Sequence, residues 1–169
     1  MKTARLPALC FWGLLISAGA NANPTIECFE KTRRSGFNVE QRITLCSSAS
    51  SDAPLRCLAD LSRAGMTKDQ ISAFCQGATS DAPQRCFIAA TEHALTFDQI
   101  SKLCNAASSA YPSECYGHTK DLPLSIDNRV TLCADATSDL VLQCFEESGA
   151  FRLSPDQRVK LCTELQPGA

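Results

Sequence analysis

Apolar side chains recur at helical spacing in two short stretches that alternate along the chain after residue 22. In one stretch, Ile71, Phe74, Cys75 and Ala78 share a face, because residues three and four apart are neighbours on a helix. Ser, Thr or Asn stands just before each such stretch, and Gln or Asn follows three residues later. This capping-box pattern predicts a helix of about 11 residues that begins after Thr67 in this example.

The other stretch contains the next cysteine and begins at a proline in three places. Ser51 or Asp52 ahead of Pro54 is typical of a helix start, since the missing N–H of proline costs nothing in the first turn. The helix carries Cys57 and is expected to end near Gly65, where a left-handed residue is favoured. Together the two stretches predict a short antiparallel αα-hairpin, and neither helix is long enough to be stable alone.

The hairpin pattern repeats five times with a period of 29 residues and no insertion or deletion. Each repeat has two cysteines 18 residues apart, and these ten positions hold every cysteine after residue 22. A hairpin this small buries little apolar surface, so neighbouring hairpins must stack. We predict an all-α fold, a short α-solenoid of five 29-residue disulfide-stapled αα-hairpin repeats, at about residues 23–50, 51–79, 80–108, 109–137 and 138–166.

Residues 1–22 have the pattern of a secretory signal peptide. Two basic residues precede a largely apolar run over 6–18, and residues 20–22, Ala-Asn-Ala, form a small-residue cleavage site. A membrane anchor is the alternative, but the run is shorter than the roughly 20 residues that a spanning helix needs. We therefore expect a secreted or periplasmic protein, 23–169, that forms a single helical-repeat domain without a membrane span.

The charge of the chain excludes some classes of partner. Without the leader, fourteen basic side chains stand against eighteen acidic ones, a net charge of −4. This mildly acidic balance offers no field for nucleic acid or an anionic membrane. The sequence also has no Gly-rich phosphate loop and no nucleophile elbow. We expect no enzyme activity and no cofactor.

The ten cysteines predict disulfides rather than a metal site. Zinc ligands cluster at short gaps, whereas exported proteins with evenly spaced cysteines form disulfides. Pairing within repeats and pairing of each second cysteine with the next first one, as in Cys75–Cys86, both suit a hairpin. The second scheme would leave Cys28 and Cys162 unpaired. We therefore favour Cys28–Cys46, Cys57–Cys75, Cys86–Cys104, Cys115–Cys133 and Cys144–Cys162.

The helices that carry the first cysteines vary most between repeats, whereas the capped helices resemble one another. Charge on the variable helices changes from basic in repeat 1 to acidic in repeat 5. Solenoids present extended surfaces of this kind to partners, although a drifting solvated surface would give the same pattern. The predicted partner-binding face comprises Lys31, Arg33, Arg34, Asp60, Arg63, Glu92, His118, Asp121, Glu146 and Glu147.

The sequence thus favours an exported, non-enzymatic scaffold that binds an unknown protein or peptide. The alternative is a structural, disulfide-stabilised envelope or extracellular protein without a specific ligand. The layout resembles helical-repeat scaffolds such as the tetratricopeptide group in architecture alone, because the period is 29 residues rather than 34.

One irregularity separates the middle repeats from the others. Repeats 2 and 3 place Ile71 and Ile100 directly after the capping Gln, where the other repeats have Arg42, Arg129 and Arg158. The apolar stripe therefore turns by one residue, about 100° on a helix. This shift predicts that the middle repeats pack differently from the flanking ones.

Overall fold

Ten short helices and no strand make up residues 23–164, the part of the chain that the computed structural model describes. The first helices of the five repeats are α1 (Pro24–Lys31), α3 (Ala53–Leu61), α5 (Ala82–Ala90), α7 (Tyr111–His118) and α9 (Leu140–Glu147). The second helices are α2 (Val39–Cys46), α4 (Lys68–Cys75), α6 (Phe97–Cys104), α8 (Ile126–Cys133) and α10 (Pro155–Thr163). The predicted all-α solenoid of αα-hairpins is confirmed. The predicted signal peptide lies outside the described residues.

Side-chain caps begin the second helices, as the sequence predicts. Full capping boxes, with a reciprocal bond between cap and third helical residue, start at Asn38, Thr67, Thr96 and Ser154. The first helices α3, α5 and α7 use a serine instead. Before α3, for example, Ser51 Oγ accepts from the N–H of Ala53 at 3.2 Å. These contacts satisfy N–H groups that the helix itself leaves unpaired.

The second helices end earlier than predicted, at or just after the second cysteine. In repeats 1, 2 and 4 the residue two positions after that cysteine has a positive φ, at Ser48, Gly77 and Asp135. A residue in the left-handed region cannot continue a right-handed helix, which explains the shorter length. The next residue, such as Ala49, is still buried, but it packs from a turn.

Five disulfides close the hairpins from within, with the predicted pairing inside each repeat. Their Cα–Cα distances of 5.5 to 5.7 Å lie in the ordinary range for disulfides. Around them runs one continuous hydrophobic core from Cys28 to Cys162. Leu45, Leu103 and Leu132, each beside a second cysteine, are fully buried in it.

The hairpins stack mainly through their second helices: α2 packs on α4, α6 on α8 and α8 on α10. Between repeats 2 and 3 the arrangement changes, because α4 and α6 make little contact and the first helices α3 and α5 pack instead. The middle repeats therefore do pack differently, as the shifted apolar stripe predicts. Within residues 23–164, every helix is too short or too polar to cross a bilayer.

Candidate functional site

A ladder of amide–carboxylate hydrogen bonds joins neighbouring repeats. The side-chain amide three residues after the N-cap of one repeat donates to the first-turn acid of the next, in the pairs Gln41–Asp69, Gln99–Asp127 and Asn128–Asp156 at 2.8, 3.2 and 2.6 Å. Gln41 and Gln99 also accept from the N–H of their own N-cap residue, so each joins its own helix start to the next repeat and fixes the register between them. The equivalent bond between Gln70 and Asp98 is missing from the described residues, at the junction where α4 and α6 separate.

An arginine ties the two helices of the hairpin together in repeats 1 and 5. The Arg158 guanidinium lies 3.9 Å from the centre of the Phe145 ring, and Nε donates to Ser148 Oγ at 3.1 Å. Its Nη2 donates to the Phe145 carbonyl. Arg42 makes the same set of contacts in repeat 1. Cation–π stacking and these hydrogen bonds tie the end of α1 to α2 and the end of α9 to α10. In repeat 4, Arg129 Nε instead donates to the Leu124 carbonyl at 3.2 Å.

The residue four positions after the first cysteine is apolar in the two repeats where isoleucine replaces this arginine. Four residues after the first cysteine, repeats 1, 4 and 5 have Thr or Ser, whereas repeats 2 and 3 have Leu61 and Ala90. Ile71 and Ile100 replace the arginine there, and all four of these apolar residues are buried. Repeats 2 and 3 thus have buried apolar side chains at the positions where repeats 1 and 5 have an arginine bonded to a hydroxyl group.

A cleft lies between these two apolar repeats. Its outer recess has a volume of about 430 Å³ and its inner recess about 220 Å³. Phe74, Asn105 and Ala106 line both recesses, so the two recesses are adjacent. Ser101 lines the outer recess and Gln84 the inner one. Sequence reasoning missed this cleft, because it arises where α4 and α6 make little contact.

The opposite side of the same junction is closed. Arg56 donates from Nε and Nη2 to Asp81 Oδ1 at 3.1 and 3.0 Å, which links α3 to the start of α5. The ring of Phe74 packs edge-on against that of Phe87, with centroids 4.9 Å apart. Arg56 also hydrogen-bonds Asp52, which holds the pKa of that carboxyl below its usual value. The junction between repeats 2 and 3 is thus closed on the side of α3 and α5, and the cleft opens on the side of α4 and α6.

The predicted partner-binding face lies at the C-terminal ends of the first helices and in the turns that follow. All its residues are exposed except Asp60, which is half-buried. The basic group in repeat 1 is partly neutralised by its own acids, because Lys31 pairs with Glu27 and Arg33 with Glu30. The hydrogen bond to Glu27 raises the pKa of Lys31. Arg34 makes no ion pair within residues 23–164.

The two histidines lie in different surroundings. His93 Nε2 lies 3.0 Å from the Ser113 carbonyl, and its ring packs 5.2 Å from that of Tyr116. His93 therefore joins repeat 3 to repeat 4, while His118 is exposed. Across residues 23–164, no three His, Cys, Asp or Glu side chains converge to hold a metal ion.

These features define a class: a disulfide-rich helical-repeat protein in which every hairpin is closed by its own bond. Five disulfides in a chain of this size are typical of an oxidising extracellular or periplasmic environment. Comparison with family models, with curated proteins and with solved structures gives no match.

Proposed function

We propose that this protein is an exported, non-enzymatic scaffold that binds another protein or peptide through the variable ends of its first helices. The observation that carries this proposal is a contrast within each repeat. The N-terminal caps of the second helices, the disulfide and an apolar residue before the second cysteine recur in every repeat, whereas the exposed ends of the first helices differ in size and charge from one repeat to the next. Such a contrast is expected when a fixed frame displays a selected surface.

The disulfides also support a binding role, because they hold the surface in one shape before a partner arrives. A preorganised surface loses little conformational entropy on binding, which improves affinity. Export is supported by the leader pattern of residues 1–22 together with the five disulfides. The exported protein should then begin at Asn23, which N-terminal sequencing would check.

Charge reversal at Arg34 tests the proposed face. Arg34 is exposed and has no ion pair among the described residues, so Arg34→Glu should not disturb the fold. Arg85→Glu on α5 is the matched control, since Arg85 is exposed, lies outside the face and gives the same change in net charge. We expect wild type and R85E, immobilised in oxidised form, to capture the same protein from the extracytoplasmic fraction of the source organism.

R34E should retain at least about tenfold less of that protein, because a reversed charge at an interface places like charges together. Quantitative mass spectrometry of the eluates measures the ratio. Equal retention by R34E and R85E would contradict the proposed face. If wild type retains nothing above a blank support, the alternative of a structural protein without a specific ligand is favoured.

A further inference from the structure

Large apolar side chains are exposed mainly at the two ends of the array. Among the described residues, nine are exposed, and seven of them lie in repeats 1 and 5. Those seven are Ile26, Val39 and Ile43 in repeat 1, and Leu140, Phe151, Leu153 and Leu161 in repeat 5. Solenoids usually close their ends with polar faces, because an apolar end face is prone to associate. The ends of this array are therefore candidate contact surfaces.

The open residues at the two ends occupy the two sides of one repeated interface. Where second helices of neighbouring repeats pack, the residue before the second cysteine of the earlier repeat is buried, namely Leu45, Leu103 and Leu132. The residue five after the N-cap of the later repeat is buried as well, namely Ser72, Val130 and Val159. At the ends these two positions are open, with Leu161 41% and Ile43 49% exposed. Repeat 5 thus presents the first side of the interface, and repeat 1 presents the second.

The amide–carboxylate ladder leaves a donor at one end and an acceptor at the other. Gln99 donates to Asp127 of the next repeat at 3.2 Å. Its counterpart in repeat 5 is Gln157, whose amide nitrogen has no acceptor within residues 23–164, although its oxygen accepts from the Ser154 N–H at 2.9 Å. The counterpart of the accepting acid in repeat 1 is Glu40, which is exposed. Gln157 and Glu40 are therefore complementary ends of the ladder.

A lysine bond between repeats has the same complement at the two ends. Lys102 Nζ donates to Thr131 Oγ1 of the next repeat at 2.8 Å. The counterpart of the donor in repeat 5 is Lys160, and that of the acceptor in repeat 1 is Thr44. Lys160 lies 3.8 Å from Glu164, but an exposed ion pair of this kind is weak and leaves the lysine available. Donors thus remain at the repeat 5 end and acceptors at the repeat 1 end.

Repetition alone does not explain the apolar end at repeat 1. The position of Ile43 is serine in repeats 2 and 3, at Ser72 and Ser101, and the position of Val39 is Lys68 in repeat 2. Polar residues are therefore compatible with the fold at both positions. An exposed isoleucine or valine gains little burial within its own chain, so a surface that covers both would account for them.

We propose that repeat 5 of one molecule docks onto repeat 1 of a second copy, so that the two arrays continue as one stack. In this contact Leu161 and Ile43 cover each other, Gln157 donates to Glu40 and Lys160 donates to Thr44. A second copy fits these ends because the chain carries both sides of the interface, and the same two sides already pack at α2–α4, α6–α8 and α8–α10. The association goes beyond the proposed scaffold function and does not depend on it.

The two sides of the contact differ, so the interface is heterologous. Each copy that joins the stack keeps one open side, and association of this type does not stop at a dimer. Each contact buries only one junction between repeats, and small interfaces are weak and transient. We therefore expect association over a concentration range of about 10 µM to about 1 mM.

Sedimentation velocity of the mature oxidised protein tests this contact. Ile43→Lys and Leu161→Lys each place a charge on one side of the interface. Both side chains are exposed in the single array, so the variants should fold, and their circular dichroism spectra should match that of wild type. Ile88→Lys is the matched control, because Ile88 is 44% exposed and lies on α5 in the middle of the array.

The sedimentation coefficients of wild type and I88K should rise with concentration without levelling off at that of a dimer. I43K and L161K should each associate at least about tenfold more weakly, because an unpaired charge is costly to bury at a contact. An equimolar mixture of I43K and L161K should form a dimer and nothing larger. Each variant keeps one intact side, and the two intact sides are complementary.

The proposal is overturned if wild type remains monomeric at about 1 mM, if either end variant associates as strongly as wild type, or if the mixture stays monomeric. If wild type is monomeric and a chain that ends at Glu164 associates, residues 165–169 take the place of the second copy. Failure here leaves the scaffold function standing, because capture of a partner that R34E loses does not require self-association. Conversely, the stack would stand even if R34E and R85E behave alike.

Discussion

Reduction of the five disulfides is expected to unfold the helical array. Each bond closes a separate loop of 18 residues, and the chain-entropy model gives about 3 kcal/mol for a loop of this length. Together the five contributions rival the roughly 5–15 kcal/mol that holds a typical domain. The helices cannot compensate, because isolated helices shorter than about 12 residues are marginal in water.

Far-UV circular dichroism in the presence of a phosphine reductant measures this effect. A thiol assay should count ten free cysteines per mature chain at the end, so that incomplete reduction is excluded. The control is the oxidised protein in the same buffer without reductant. A reduced protein with ten free thiols and an unchanged helical spectrum would show that packing alone sustains the fold.

Two leucines in equivalent positions are expected to differ sharply in their contribution to stability. Leu132 and Leu161 each precede the second cysteine of their repeat, but Leu132 is 0% exposed and Leu161 is 41% exposed. The difference arises because α10 packs on α8 and covers Leu132. Truncation of a buried leucine costs about 2–5 kcal/mol through lost transfer energy and the cavity left behind.

Urea unfolding of the oxidised variants measures both effects. Leu132→Ala should lower the free energy of unfolding by about 2–5 kcal/mol, and Leu161→Ala by less than about 1 kcal/mol. The two substitutions remove the same atoms from the same position in the repeat, so each is the control for the other. Similar losses in the two variants would mean that repeat 5 does not cover repeat 4 as described.

The fold follows from the sequence because its signals are local and repeated. A cap, an apolar stripe and a cysteine each recur at one spacing. A signal that is weak in one repeat is therefore recognised from the same position in the other repeats. Pairing within repeats is favoured because the alternative, which joins each second cysteine to the first cysteine of the next repeat, would leave Cys28 and Cys162 unpaired. Helix length was predicted too long because the left-handed turn is marked by a glycine in repeat 2 alone, at Gly77, whereas Ser48 and Asp135 form it in repeats 1 and 4.

The contacts between repeats are harder to predict, since they depend on how neighbouring helices are spaced. Gln41 and Asp69 form a hydrogen bond between repeats. Helix capping is a sufficient reason for both residues, so the sequence pattern does not indicate that they also bind each other. The cleft does have a signal in the sequence. Ile71 and Ile100 replace the arginine, and Leu61 and Ala90 replace its hydroxyl partner in the same two repeats. The paired change marks the junction, but only the structure shows that it opens.

The partner-binding face remains a proposal, and the structure refines which of its residues to test. Lys31 and Arg33 have acidic neighbours on their own helix, and exposed pairs of this kind contribute little to stability. Asp60 is engaged by Arg63 and Gln84. Arg34 is the clearest free charge of repeat 1 among the described residues. Spacing alone could not make this distinction, because ion pairs within the face depend on side-chain geometry.

Disulfide mapping without reduction tests most directly the central claim that each hairpin is closed by its own bond. Trypsin cuts between the two cysteines of every repeat, but it has no site between repeats 3 and 4 or between repeats 4 and 5. Glu-C, which cuts after Glu114, and Asp-N, which cuts before Asp135, separate these repeats. Mass spectrometry should then find five linked peptide pairs, each joining a cysteine to the one 18 residues later. A peptide that links Cys75 to Cys86, or any other bond between repeats, would contradict it.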